Sequence, residues 1–272
     1  MPWTSKHLKW LINTGKKIKT SEGKDAEVWE FKYTQDEAIM SDWVRHFRNH
    51  YCLDTEIDIL RNGTRFSRAE YLANIKLPDS AVAPGPSIRA GDFGEILVAD
   101  YLQYILGYWV PRSRYEEKAI RNESTKGCDI IGFKYFNNGK DEKDDVLAIF
   151  EAKAQFSGTV AKPRLQDAVN DSAKDYIRRA ETLNAIKQRF LKQNLLVDVD
   201  KIARFQNLED RPYREVYGAA ALFSSENINE TRIAETKTKD HPHAKGLILL
   251  VFHGKDMMTL VHELYRRVAD EA

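Results

Sequence analysis

The segment DDVLAIFEAKAQF (residues 144–156) constrains this chain most, because it reads as a β-strand that is apolar on both faces. Side chains alternate along a strand. Val146, Ala148, Phe150, Ala152, Ala154 and Phe156 therefore share one face, and Leu147 and Ile149 share the other with Glu151, Lys153 and Gln155. A strand of this kind belongs inside a sheet that helices cover on both sides. The charges of "EAK" then need a task or partners, since buried charge is costly.

The rest of the chain supports the same architecture. GLILLVFHG (246–254) is apolar throughout and reads as a central strand, and YGAAALFSS (217–225) as another. The run GDFGEILVADYLQYILGYW predicts a buried helix over 93–106, with Gly107 as its C-cap. Short strands are expected at 108–110 and 128–135, a long charged helix at about 165–193, and a closing helix with Met257, Leu260, Val261, Leu264 and Val268 on one stripe. Upstream, AEVWEFKY (26–33) alternates like a strand. TQDE (34–37) and SRAE (67–70) carry capping-box signatures that open helices. LPDSAVAPGPS (77–87) reads as a linker, dividing an N-terminal α+β region (1–85) from a second domain (88–272). The fold class is α/β (α+β), with helices flanking a mixed central sheet.

Three acidic positions stand where their elements should be apolar. Glu95 lies on the buried helix in register with Val98, Ala99 and Leu102. Asp129 opens a strand on the face of Ile131 and Phe133, and Glu151 precedes Lys153 on the apolar strand. Taken singly, each has an ordinary structural explanation: a first-turn glutamate beside a helix dipole, a turn aspartate, and a solvated Glu–Lys pair. Jointly they suit a hard divalent cation such as Mg²⁺ or Mn²⁺. Asp129, Glu151 and the Ala152 carbonyl would serve as ligands, and Glu95 would hold a second ion or its water. Lys153 would orient or help deprotonate a water and offset charge on a phosphate.

The order Glu (helix), Asp (strand), Glu-x-Lys (strand) resembles the PD-(D/E)XK nuclease superfamily, whose core is an αβββαβ unit. GE at 94–95, CD at 128–129 and EAK at 151–153 carry the likeness, with Cys128 standing where the superfamily motif has proline. The wider pattern GDFGEILVADYLQYIL…KGCDIIGF…IFEAKAQFSG looks like the HamA family, nuclease subunits of the Hachiman antiphage defence system. That resemblance implies a restriction-endonuclease-like core and a metal-dependent DNase of low sequence specificity, with Glu95, Asp129, Glu151 and Lys153 as catalytic residues. It further implies a partnership with a HamB-like DNA helicase, for which residues 1–85 would serve the interface or regulation. Two other readings use the same residues: a stand-alone, sequence-specific restriction endonuclease, and a non-catalytic DNA- or helicase-binding module on a nuclease fold.

A net charge of +1 on 272 residues gives no global field for a polyanion, so a DNA surface must be local. The 160–192 segment supplies one candidate, with Lys162, Arg164, Lys174, Arg178 and Arg179 available to a phosphate backbone and a solvated helix face as the alternative. HPH (241–243) reads as a loop, His253 as a packed or capping residue, and Cys52 and Cys128 as inert. No signal-peptide pattern, membrane-length apolar run or cysteine metal spacing is present, so a cytoplasmic protein with no membrane partner is expected.

Overall fold

The computed structural model describes residues 2–116, 118–137 and 141–272. Its strands are β1 (Leu11–Lys19), β2 (Asp25–Phe31), β3 (Ile130–Lys134), β4 (Val146–Gln155), β5 (Arg214–Ser224) and β6 (Ile248–Gly254). Nine α-helices occur among the described residues. They are α1 (Glu37–Tyr51), α2 (Ile57–Arg61), α3 (Arg68–Tyr71), α4 (Gly85–Asp100), α5 (Arg164–Ser172), α6 (Asp175–Lys192), α7 (Leu196–Ala203), α8 (Glu230–Ala234) and α9 (Met257–Asp270).

The strands form one mixed sheet in the order β1-β2-β6-β5-β4-β3. β2, β6, β5 and β4 run parallel, and the edge strands β1 and β3 pair antiparallel with their neighbours. The two-faced pattern of β4 has the predicted consequence. Ala148 and Phe150 pack with Leu97 of α4, Phe47 of α1 and Leu264 of α9, while Leu147 and Ile149 pack with Leu165 of α5, Ile186 of α6 and Ile202 of α7. Phe150 stands in register with Gly218 of β5, where a Cβ would run into the phenyl ring. Only glycine leaves room for that ring inside the sheet.

Several boundaries differ from expectation. The buried helix begins at Gly85 instead of residue 93, because Pro84 and Pro86 start α4 within the proline-rich run, and a π-helical turn (Tyr101–Ile105) continues it. Residues 77–87 therefore do not separate two layers. β1 and β2 join the sheet through β6, and Trp43 and Phe47 of α1 share a core with Phe93 and Leu97. The cap of α1 is Asp36, whose carboxylate accepts the Ile39 N–H; Thr34 instead accepts the Trp10 indole N–H at 2.9 Å. The SRAE capping box forms between Ser67 and Glu70. The strand expected at 108–110 is reduced to a single bridge from Trp109 to Phe133. The long charged helix is two, α5 and α6, broken at Ala173–Lys174.

Candidate active site

β3 pairs with β4 only as far as Ile130 opposite Phe150, whereas β4 stays paired with β5 through Gln155. Beyond Phe150, one edge of β4 is left open, and Asp129, immediately before β3, closes it. Its Oδ2 accepts the Ala152 N–H at 3.3 Å. A residue's N–H and C=O leave a strand by the same edge, so the Ala152 carbonyl also faces the Asp129 side. Glu151 is 3% exposed, and its Oε1 lies 2.6 Å from Lys153 Nζ. Lys153 also meets Asp171 Oδ2 of α5 at 2.9 Å. Glu151 Oε2 is buried without a hydrogen-bond partner.

Glu95 approaches from α4 and is held from the loop after it. Its Oε2 accepts from Arg114 Nε at 2.9 Å and from the Tyr115 hydroxyl at 2.6 Å. Arg114 Nη2 donates to Asp129 Oδ1 at 2.9 Å, so one guanidinium ties the helix carboxylate to the strand carboxylate. The structure thus gathers Glu95, Asp129, Ala152, Glu151 and Lys153 at the end of β3.

Crowding sets the electrostatics. Burial and the neighbouring Glu151 carboxylate push Asp129 up to about 7. Burial and Asp129 raise Glu95 despite Arg114, and burial raises Glu151 despite Lys153. Burial works against a charge on Lys153, but Glu151 and Asp129 outweigh it and raise its pKa. In this arrangement Lys153 is a fixed ammonium that can orient and neutralise.

Asp175, at the start of α6, is fully buried, and neither of its carboxylate oxygens has a hydrogen-bond partner. Burial and Asp129 push it up to about 7. The sequence hides it as one more acid in a charged helix. Arg114, Tyr115 and Asp171 are equally unmarked, because loop residues and helix-face acids carry no periodic signal that would point them inward.

An open cleft of about 540 Å³ leads to the cluster, with Glu95, Lys153, Gln155, Lys162 and Arg164 on its walls. Of the five candidate DNA-binding cations, Lys162 and Arg164 therefore line the cleft. Lys174 pairs with Asp171 at 2.6 Å, Arg178 lies 3.7 Å from Asp175, and Arg179 pairs with Glu215 of β5. His241 approaches the Ser172 hydroxyl at 3.3 Å and His243 stacks on Tyr217, both packing roles. Ser225 Oγ lies 3.1 Å from His253 Nδ1.

A second buried cluster was not foreseen. His46, His50 and Asp100 bring three potential metal-ligand atoms within 4.8 Å of one another. The donor set does not suit a metal well. The Thr4 N–H donates to His46 Nδ1 at 3.1 Å, which leaves the proton of a neutral ring on Nε2, facing Asp100 Oδ1 at 3.1 Å. Arg112 already supplies a cation, 2.6 Å from Asp100 Oδ1 and 3.2 Å from His50 Nε2, and His7 Nε2 meets Asp100 Oδ2 at 2.9 Å. Burial opposes it, but His46 and Arg112 hold Asp100 well below the usual carboxylate range.

The mixed sheet, its two helical layers and the acid–lysine cluster at the open end of β4 define an α/β protein with a nuclease-like core. The chain belongs to the HamA family, the Hachiman antiphage defence component: the HamA family model matches residues 6–268, nearly its whole length. No curated protein matches it. No helix among the described residues is long and apolar enough to cross a membrane.

Proposed function

We propose that this protein is a divalent-metal-dependent DNA nuclease of low sequence specificity, acting as the effector subunit of a Hachiman complex with a HamB-like helicase. The observation that carries the reading is the close pair of buried carboxyls, Glu151 and Asp129, at the open edge of β4, with no N–H or O–H donor on Glu151 Oε2. A buried pair of carboxyls with no such donor calls for a shared proton or a cation. Asp129, Glu151 and the Ala152 carbonyl offer hard oxygen donors that fit Mg²⁺ or Mn²⁺. When bound, such an ion supplies Lewis-acid stabilisation of charge on a phosphodiester oxygen. Lys153, steadied by Glu151 and Asp171, orients the attacking water and offsets the same charge. Lys162 and Arg164 receive the DNA backbone along the cleft, the role expected of phosphate contacts that position without reading sequence.

Residues 1–85 supply the partner surface in this reading. Because they include two strands of the sheet, their removal would unfold the chain, and exposed positions such as Ile12, Ile59 and Leu60 are the sites to alter. The function is tested by following degradation of labelled plasmid DNA with Mg²⁺, by the chain alone and with its helicase and ATP. Degradation abolished by EDTA and by Lys153→Ala, with the variant still folded, supports it. Full activity in Lys153→Ala would refute it.

A further inference from the structure

Arg114 occupies a place where a carboxylate-rich site calls for positive charge. Its Nε donates to Glu95 Oε2 at 2.9 Å and its Nη2 to Asp129 Oδ1 at 2.9 Å. Nη1 donates to the Cys128 carbonyl, and Nη2 also lies 3.4 Å from the Thr125 carbonyl. The planar fork of a guanidinium suits this bridging in a way an ammonium does not. Arg114 thereby occupies Glu95 Oε2 and Asp129 Oδ1, and the acceptors it leaves around Asp129 are Asp129 Oδ2, Glu151 Oε2 and the Ala152 carbonyl.

The loop bearing Arg114 is fastened to α4 at three points in reverse order. Arg112 pairs with Asp100 at 2.6 Å, Arg114 with Glu95, and Lys118 with Asp92 at 2.5 Å. Arg114 is therefore held in place by its neighbours as well as by its own bonds.

Formal charge limits the count: Glu95, Asp129 and Glu151 set against Arg114 and Lys153 leave one negative charge, less than a single divalent ion carries, whereas removing Arg114 leaves two and frees the Glu95 Oε2 and Asp129 Oδ1 donors.

We infer that Arg114 is a built-in second cation of the site, a positioning residue that bridges Glu95 and Asp129 so that the site takes one divalent ion, on the Glu151 side of Asp129. The inference rests on the metal-dependent reading above, and it reassigns Glu95 from holding an ion to holding an arginine.

The test counts Mn²⁺ ions bound per full-length chain, by calorimetry and electron paramagnetic resonance. Wild type should bind one. Arg114→Met should bind two, Arg114→Lys one, and the double variant Glu95→Gln/Arg114→Met one. Two ions in wild type, or one in Arg114→Met, would overturn the inference while leaving the nuclease reading standing. No ion in wild type would remove the metal-dependent reading and this inference together. If Arg114→Met fails to fold, Arg114→Gln is counted in its place, with the same expectation of two. In DNA degradation, Arg114→Met should lower kcat at least tenfold with KM within threefold, and Arg114→Lys should restore part of it. A change confined to KM would make Arg114 a DNA contact and contradict the positioning role.

Discussion

α4 carries three carboxylates, Asp92, Glu95 and Asp100, and the surroundings of the last two differ in an instructive way. Asp100 faces His7 on one oxygen and His46 and Arg112 on the other, with no second acid against it, and its pKa is depressed. Glu95 belongs to a group in which acids outnumber cations and in which the pKa values of Glu95, Asp129, Glu151 and Asp175 all rise. Both clusters draw an arginine from the same loop. A buried charge surrounded by donors needs nothing further, whereas the surplus of acceptors around Asp129 is what the proposed function reads as room for a cation.

The contrast can be broken from the Asp100 side first. Asp100→Ala strands Arg112 as an unpaired buried cation and should cost roughly 3–5 kcal/mol in urea unfolding. A cost under 1 kcal/mol would mean the cluster is not a fastening. On the Glu95 side the larger loss is of function: Lys153→Ala should reduce DNA degradation about 100-fold or more, the scale of removing one preorganised charge from a transition state, and should cost less stability than Asp100→Ala because the raised Glu151 can take up a proton.

A smaller effect follows from the protons. Asp129 titrates at about 7 in the folded metal-free protein, so a cation displaces its proton at lower pH. Mn²⁺ affinity should fall about tenfold per pH unit below 7 and level off above it. An affinity flat between pH 5 and 7 would show that Asp129 is already ionised.

The smallest effect concerns stability. Folded Asp129 and Asp175 keep protons that the unfolded chain releases near its ordinary carboxylate pKa. Metal-free stability should therefore decline as pH rises from about 4 to about 7. The depressed pKa of Asp100 contributes stability that is present above the unfolded pKa and lost as pH falls through the folded one. Asp175→Asn should flatten the upper slope and stabilise the metal-free protein by about 1–2 kcal/mol near pH 8, measured by thermal unfolding. Destabilisation there would mean the Asp175 carboxylate has a partner it needs.

Much of the fold was legible because alternation is a strong signal. The two apolar faces of β4 predicted helices on both sides, and the stripe through Met257, Leu260, Val261, Leu264 and Val268 predicted α9. The acids of the site were legible for the same reason, since Glu95 and Glu151 interrupt apolar patterns. Their partners were not. Arg114 and Tyr115 lie in a polar loop where nothing breaks a pattern, and Asp175 resembles any solvated helix acid. The reach of residues 1–85 into the shared sheet was also hidden, because strand pairing between β2 and β6 joins segments more than 200 residues apart. The proline run that reads as a linker is the start of a helix, since prolines at its first turn cost no hydrogen bond.

The most direct measurement is the heat of Mn²⁺ binding to wild type, Glu151→Gln and His50→Ala, each first shown to be folded. The account predicts binding in wild type and in His50→Ala, and its loss in Glu151→Gln. Binding that survives Glu151→Gln and disappears in His50→Ala would place the metal at the Asp100 cluster and contradict it.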